Sequence, residues 1–282
     1  METVDNVGTG TERFAAMIEA LDTRIFTLAA SQTSKRDRQS LLRLQRFIRT
    51  RDPAYRYLEI GSHLGGSLLP HLADPRCAAA FSIDPRPASQ PDARGRSFDY
   101  PANSTERMLG LLREKLGEQP LGKLRTFDLD AVEVTPEMID GSIRLALIDG
   151  EHTVMAAFSD FIRILPLLAP DAVVVWHDAN LVCDAIRNAE RVLVWQGVPF
   201  CTVFLADHVA AIAVGAMAEP LATELGPESL ARETYLANAR DFVARSVTEE
   251  VLMRGGLDMR SLFKAIVQRL LPPLRHRLRA PA

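Results

Sequence analysis

The sequence predicts an α/β fold: a doubly wound, mostly parallel sheet of seven strands that ends in an antiparallel hairpin, with extra helices at both ends. Three observations predict it. Five short apolar runs alternate with helical segments between residues 55 and 196. That is the rhythm of strand–helix–strand units, whose right-handed crossovers build a parallel sheet covered on both faces. Two further runs, PFCTVFL (199 to 205) and HVAAIAVG (208 to 215), are separated only by Ala206 and Asp207. So short a connection suits an antiparallel pair, not a crossover. Finally, 282 residues that are 47% hydrophobic and 24% charged can bury one large core.

Taken in order, residues 11 to 50 read as two helices. Phe14, Met17, Ile18, Leu21 and Ile25 keep helical spacing, and so do Leu41, Leu42, Leu44, Phe47 and Ile48. The polar stretch SQTSKRD separates them, and Arg51-Asp52-Pro53 stops the second. Strands are expected at YRYLEI (55 to 60), AAFSID (79 to 84), LRTFDL (124 to 129), IRLALID (143 to 149) and AVVVWHD (172 to 178). Helices are expected near 66 to 73, 103 to 117, 153 to 167 and 181 to 196. After Gly215 the chain turns helical, and MRSLFKAIVQRLL (259 to 271) has the pattern of an amphipathic helix. No Asp or Glu occurs from Met259 onward. This basic helix reads as docked on the domain or on a second subunit rather than as a membrane-surface anchor. The expected organisation is a helical extension over 1–52, a ligand-binding catalytic domain over 53–216 and a helical extension with a basic tail over 217–282.

The bulk numbers exclude several classes. A formal net charge of −3 gives no electrostatic reason for a nucleic-acid partner. Cys77, Cys183 and Cys201 are far apart and odd in number. They make neither a metal-ligand pair nor a disulfide framework, which points to a reducing, cytoplasmic setting. The opening METVDNVGTGTERF has no basic start and no apolar stretch, so no secretory signal is expected, and no run approaches a membrane span. The helices outside the core are compatible with a homodimer.

In open α/β sheets, ligands bind beyond the carboxyl ends of the strands. The first strand runs into GSHLGGS, with glycines at 61, 65 and 66. Such a turn lets a ligand approach the backbone, and a bare strand-to-helix turn is the plain alternative. His63 stands where a dinucleotide fingerprint has its second glycine, which argues against a nicotinamide cofactor. The second strand ends in Asp84, placed to accept hydrogen bonds from the two ribose hydroxyls of a nucleoside. A turn cap before Pro85 is the rival. Asp128 ends the third strand and could face an adenine edge. The fourth ends in Asp149, with His152 three residues on, and the fifth in His177 and Asp178. Neighbouring strand ends lie about 5 Å apart, so these four side chains should converge on a metal or acid–base site. The polar segment 85 to 104 is long enough to be a lid or substrate loop, with Arg94, Arg96 and Tyr100 as candidate contacts.

YLEIGSHLGGS, SIDP, LALIDGEHT and VVVWHDAN, in that order, resemble the motifs of class I S-adenosylmethionine-dependent methyltransferases. More closely, they are similar to the metal-assisted O-methyltransferases of the macrocin and mycinamicin type, which tailor sugar hydroxyls. The resemblance spans roughly residues 50 to 215, and the acid-Gly-acid-His sequence is its specific part. It implies a Rossmann-like domain that binds S-adenosylmethionine. Gly61, Ser62 and Gly65 would bracket the methionine moiety with Glu59 behind the turn. Asp84 would hold the ribose, and Asp128 would lie near the adenine. Asp149 and Asp178, with His177, would hold a divalent cation, magnesium or manganese, and His152 would be the general base. His177 departs from the pattern, where a carboxylate is usual, and an imidazole there would favour a softer ion such as manganese or iron. The expected substrate is a sugar or another small molecule. A metal-independent methyltransferase, or a cofactor-binding partner protein without catalysis, are the readings beside it.

Overall fold

The structure, a computed structural model, describes residues 10–254 apart from Ala30 and Ala206. The amphipathic segment expected at 259–271 lies outside the described residues. The N-terminal extension holds α1 (Gly10–Glu19) and α2 (Lys35–Arg51), joined by a 3-10 turn at Thr23–Leu28. Then follow β1 (Tyr55–Ile60), α3 (Leu68–Ala73), β2 (Cys77–Ile83), the short strands β3 (Ser89–Pro91) and β4 (Ser97–Asp99), and α4 (Thr105–Leu116). The second half of the domain holds β5 (Leu124–Phe127), β6 (Ile143–Ile148), α5 (Val154–Ile164), β7 (Leu168–Trp176) and α6 (Cys183–Gln196). The antiparallel strands β8 (Phe200–Phe204) and β9 (Ala210–Val214) close the sheet, and α7 (Ala218–Leu225) and α8 (Arg232–Arg254) follow.

The main sheet has the order β5-β2-β1-β6-β7-β9-β8. Its first five strands are parallel, and β9 runs antiparallel to both β7 and β8, as the two-residue connection required. The segment 85–104, read from sequence as a loop, contains the separate hairpin β3–β4. Its Ser, Gln, Pro and Arg content hides so short a pairing from any periodicity test.

Side-chain parity divides the core in two, because successive residues of a strand point to opposite faces. Leu58, Ile60, Ala146, Ile148, Val174 and Trp176 face α5, α6 and α8. Tyr57, Leu145, Leu147, Val173 and Val175 face α2, α3 and α7. The strands read as continuous apolar runs because both faces are covered. On the second face a buried polar knot fastens α2 to the domain. Arg49 Nε lies 2.9 Å from Asp74 Oδ2, and the Tyr55 hydroxyl donates to the same carboxylate at 3.1 Å. No helix among the described residues is long and apolar enough to cross a membrane.

The end of β1 is fixed by Gly61, whose φ is +84°. A Cβ there would collide with the backbone carbonyl of Asp149, the residue that follows β6. Glycine is therefore required twice, by the left-handed backbone and by the close approach of the two strand ends. Gly61→Ala is expected to lower the unfolding free energy by about 2–3 kcal/mol, measured by urea denaturation. A loss under about 0.5 kcal/mol would mean that the strand ends separate without cost.

Candidate active site

One feature of the ladder assembles the site. The N–H that follows each parallel strand donates to the last carbonyl of its neighbour: Gly61 to Ile83 at 2.9 Å, Asp84 to Phe127 at 3.0 Å, Asp149 to Ile60 at 2.9 Å and His177 to Ile148 at 3.2 Å. Four expected site residues thus leave the sheet at one height. Between them opens a cavity of about 300 Å³, within the range of small-ligand sites.

Gly61, Ser62 and Asp84 line this cavity. Asp84 is buried and accepts the His63 N–H at 2.9 Å and the Arg86 N–H at 2.8 Å. The Arg86 guanidinium reaches Asp84 at 3.2 Å, Ser62 Oγ at 3.1 Å and Thr105 Oγ1 at 3.1 Å, and lies 3.7 Å from Asp128. Asp128 accepts a hydrogen bond from Thr105 and does not line the cavity; Arg86 joins it to Asp84. Gly65 does not line the cavity either. A side chain there would strike Leu112 and Met108 of α4. Glu59 lies fully buried behind the turn, where it accepts from the Tyr57 hydroxyl at 2.7 Å and from Ser67 Oγ at 2.5 Å. Burial pushes its carboxyl up to about 8, so it holds its proton at neutral pH.

The four residues at the tips of β6 and β7 do converge. His177 Nδ1 lies 3.1 Å from Asp149 Oδ1 and 3.3 Å from Asp178 Oδ2. His152 Nε2 lies 3.3 and 3.4 Å from the same two oxygens. One donor atom each from Asp149, His152 and Asp178 falls within 4.8 Å of the others, a spacing that could hold a cation with His152 in the place expected of His177, whose Nδ1 lies against the same two oxygens. Exposure separates the two rings. The His152 side chain keeps 20% of its surface toward the cavity, whereas that of His177 keeps 8% and lies underneath. His152 is thus open to a substrate, and His177 faces the two carboxylates from below.

Backbone strain concentrates at the site. His63, Arg86 and Asp178 all have positive φ, at +43°, +56° and +48°. Such conformations cost of order 1 kcal/mol or more each and persist where the surroundings hold them.

Sequence reasoning missed two residues that the fold brings in. Asp37, at the start of α2, is 1% exposed and sits 3.6 Å from His177 Nε2. His208, in the β8–β9 turn, places its Nδ1 3.7 Å from Asp178 Oδ1, and its N–H donates to Asp37 at 2.9 Å. The one sequence signal was the Ser34-to-Asp37 spacing of a capping box, which does form. That pattern announces a helix start, not a site. The remaining wall comes from residues 31–34 on one side and from the β3–β4 hairpin on the other, with Gln90, Arg94, Phe98 and Tyr100 facing inward. Of the expected loop contacts, Arg94 is held by Asp92 at 2.7 Å, and Arg96 pairs with Glu250 of α8 at 3.3 Å, outside the cavity wall.

Residues 58–179 match a family described as a methyltransferase domain. That stretch runs from β1 to just past β7 and contains every expected site residue. Over this core the chain is similar to methyltransferase domains. No curated protein matches the chain at a significant level. Among solved structures it is similar to the O-methyltransferase TomG from Streptomyces achromogenes, with 16% identity over 76% of this chain and 92% of that one, at a TM-score of 0.46. A putative caffeoyl-CoA O-methyltransferase from Staphylococcus aureus has 16% identity over 73% and 99%, at 0.45. The methyltransferase PaMTH1 from Podospora anserina has 15% identity over 76% and 100%, at 0.46.

The cluster makes stability depend on pH. Burial works against a charged His177 ring, but Asp149, Asp178 and Asp37 outweigh it and raise the pKa well above the ordinary 6.5. Burial likewise opposes the Asp37 carboxylate, but His177 and the His208 N–H outweigh it and hold its pKa at about 2, against an ordinary 3.8. A raised histidine contributes fully below 6.5 and loses its contribution as pH rises through the folded value. A depressed carboxyl contributes fully above 3.8 and loses its contribution as pH falls toward 2. Cluster stabilisation is thus greatest between about pH 4 and 6.5 and declines on the alkaline side. Urea denaturation from pH 6 to 9 is expected to show that decline in the wild type and a flatter profile in His177→Asn. Identical slopes would remove the ring from the balance.

Proposed function

We propose that the protein is an S-adenosylmethionine-dependent O-methyltransferase acting on a hydroxyl of a sugar or glycosylated small molecule, with His152 as general base and a divalent cation held by Asp149, His177 and Asp178. One observation carries the reading. A single cavity has the glycine turn and Asp84 on one side and the Asp–His cluster on the other. That is the arrangement needed to bring a nucleoside donor against an activated alcohol. The match of residues 58–179 to a methyltransferase domain supports the donor. The acceptor class is supported by the wall, where Ser31, Thr33, Gln90 and Asn103 offer hydrogen-bonding groups beside the flat rings of Phe98 and Tyr100. Hydroxyl-rich rings with one apolar face need both kinds of contact.

The chain's own residues divide the work. Asp84 accepts the two ribose hydroxyls. Gly61 and Ser62 let the methionine portion lie against the backbone, while Glu59 and Gly65 shape the turn from behind and from under α4. Asp128 acts through Arg86 on the adenine side. His152 takes the acceptor's hydroxyl proton on Nδ1, because Nε2 donates to Asp149 and Asp178, as the oxygen attacks the sulfonium methyl carbon. S-adenosylmethionine, when bound, would supply the activated methyl group, its carbon–sulfur bond giving way to the new carbon–oxygen bond so that a methyl ether and S-adenosylhomocysteine result. Asp149 and Asp178 hold the imidazole at hydrogen-bonding distance and so fix its direction. A divalent cation on the cluster would supply electrostatic stabilisation for the charge that develops on the oxygen.

Calorimetric titration of S-adenosylhomocysteine tests this reading. Micromolar binding is expected for the wild type. Asp84→Ala should weaken it by roughly tenfold or more, since hydrogen bonds to a carboxylate contribute about 1.5–3 kcal/mol each. His152→Ala should keep nucleoside affinity and lower kcat by about 10²–10⁴ against hydroxylated acceptors. No nucleoside binding would sink the methyltransferase reading, and full activity in His152→Ala would move the base elsewhere.

A further inference from the structure

The carboxylate of Asp37 is not needed by the proposed chemistry, yet it is buried to 1% exposure at the edge of the cluster. A carboxylate so placed is costly unless it is paired. It accepts two backbone N–H groups, from Ser34 at 3.2 Å and His208 at 2.9 Å, and its Oδ2 faces His177 Nε2 at 3.6 Å. That Nε2 atom is buried and has no hydrogen-bond partner among the described residues. His177 therefore stands in the middle of a line. Its Nε2 looks toward Asp37, and its Nδ1 looks toward Asp149 and Asp178 at 3.1 and 3.3 Å.

A metal-bound imidazole turns one nitrogen to the ion and has its other N–H held by a carboxylate that fixes tautomer and ring plane; Asp37, at 3.6 Å, stands one small ring shift from that contact. It also bears on which ion is held. Magnesium prefers oxygen ligands in near-ideal octahedral geometry, whereas imidazole nitrogens beside carboxylates suit first-row transition ions.

We infer that Asp37 is the positioning carboxylate of His177, holding the Nε2–H so that the Nδ1 lone pair faces the cation, and that the centre thereby takes a first-row transition ion such as manganese in preference to magnesium. The inference rests on the divalent-cation reading proposed above. It gives the N-terminal extension a part in the site: α2 closes the sheet face and also delivers the group that orients a ligand on β7. A purely structural role for Asp37 would end at its two backbone hydrogen bonds, from Ser34 to Oδ2 and from His208 to Oδ1, of which an asparagine oxygen keeps one and which leave the imidazole N–H resonance untouched.

The test uses the full-length protein. Magnesium, manganese and cobalt(II) chlorides are each titrated calorimetrically into wild type and Asp37→Asn, and the cobalt-loaded proteins are examined by proton NMR. Manganese and cobalt are expected to bind wild type at least tenfold more tightly than magnesium. The cobalt protein should show a hyperfine-shifted imidazole N–H that exchanges slowly with solvent, as a ring proton buried against Asp37 must. Asp37→Asn should bind manganese about 10–100-fold more weakly and lose or displace that resonance. Retained binding of S-adenosylhomocysteine would show that the variant is folded. If it does not fold, the wild-type ion preference and the N–H resonance decide. Equal affinity for magnesium and manganese, an absent N–H signal, or an Asp37→Asn variant indistinguishable from wild type would each overturn the inference while leaving a cation site in place. Failure of every ion to bind wild type would remove the cation reading itself, and this inference with it.

Discussion

The last hydrogen bond of each parallel strand pair is the constraint on which the site depends. In a parallel ladder the strands leave the sheet on the same side, and the residue just past each end is pinned by its neighbour's final carbonyl. Gly61, Asp84, Asp149 and His177 are all held this way. Their backbones cannot drift independently, so the distances across the cavity follow from sheet geometry rather than from loop conformations. The collision that a Cβ at Gly61 would cause with Asp149 shows how tightly the central strand ends are drawn together.

Onto this rigid edge the chain places charge that would be costly elsewhere. Asp37, Asp149 and Asp178 surround the His177 ring, and the His152 ring approaches two of these carboxylates from the cavity side. Each carboxylate is depressed and the ring is raised, although burial opposes charge in every case. Pairing with the rings is what outweighs desolvation here, and removing His177 leaves the buried Asp37 carboxylate without its imidazole neighbour. The same grouping is a high-field pocket that suits a cation, so local stability and ion binding draw on one set of interactions.

Much of this was legible in the sequence, for physical reasons. Doubly covered strands are continuous apolar runs, and β1, β2, β6 and β7 stood out as such. A two-residue connection forced β8 and β9 to be antiparallel. Acids and imidazoles at the ends of such runs marked Asp149, His152, His177 and Asp178. What could not be read was direction and distance. Parity put Glu59 on the face of Tyr57, behind the turn and away from the cavity wall. Gly65 proved to make room for α4, and Arg86 came between Asp84 and Asp128. Asp37 lies 140 residues before His177 in the chain, and its local pattern is fully explained as a helix cap. Only the packing of α2 against the sheet reveals its second partner.

The β3–β4 hairpin is fastened to the segment that carries the base. The Ala93 N–H donates to the backbone carbonyl of His152 at 2.8 Å, and Asp92 bridges the same residue. On its outer side the hairpin is tied to α8 through Arg96 and Glu250. A wall anchored in this way does not behave as a free flap. Widening the cavity from that side means shifting the backbone of the imidazole itself, so the bulk of the molecule admitted and the placement of the proton acceptor are governed by one stretch of chain.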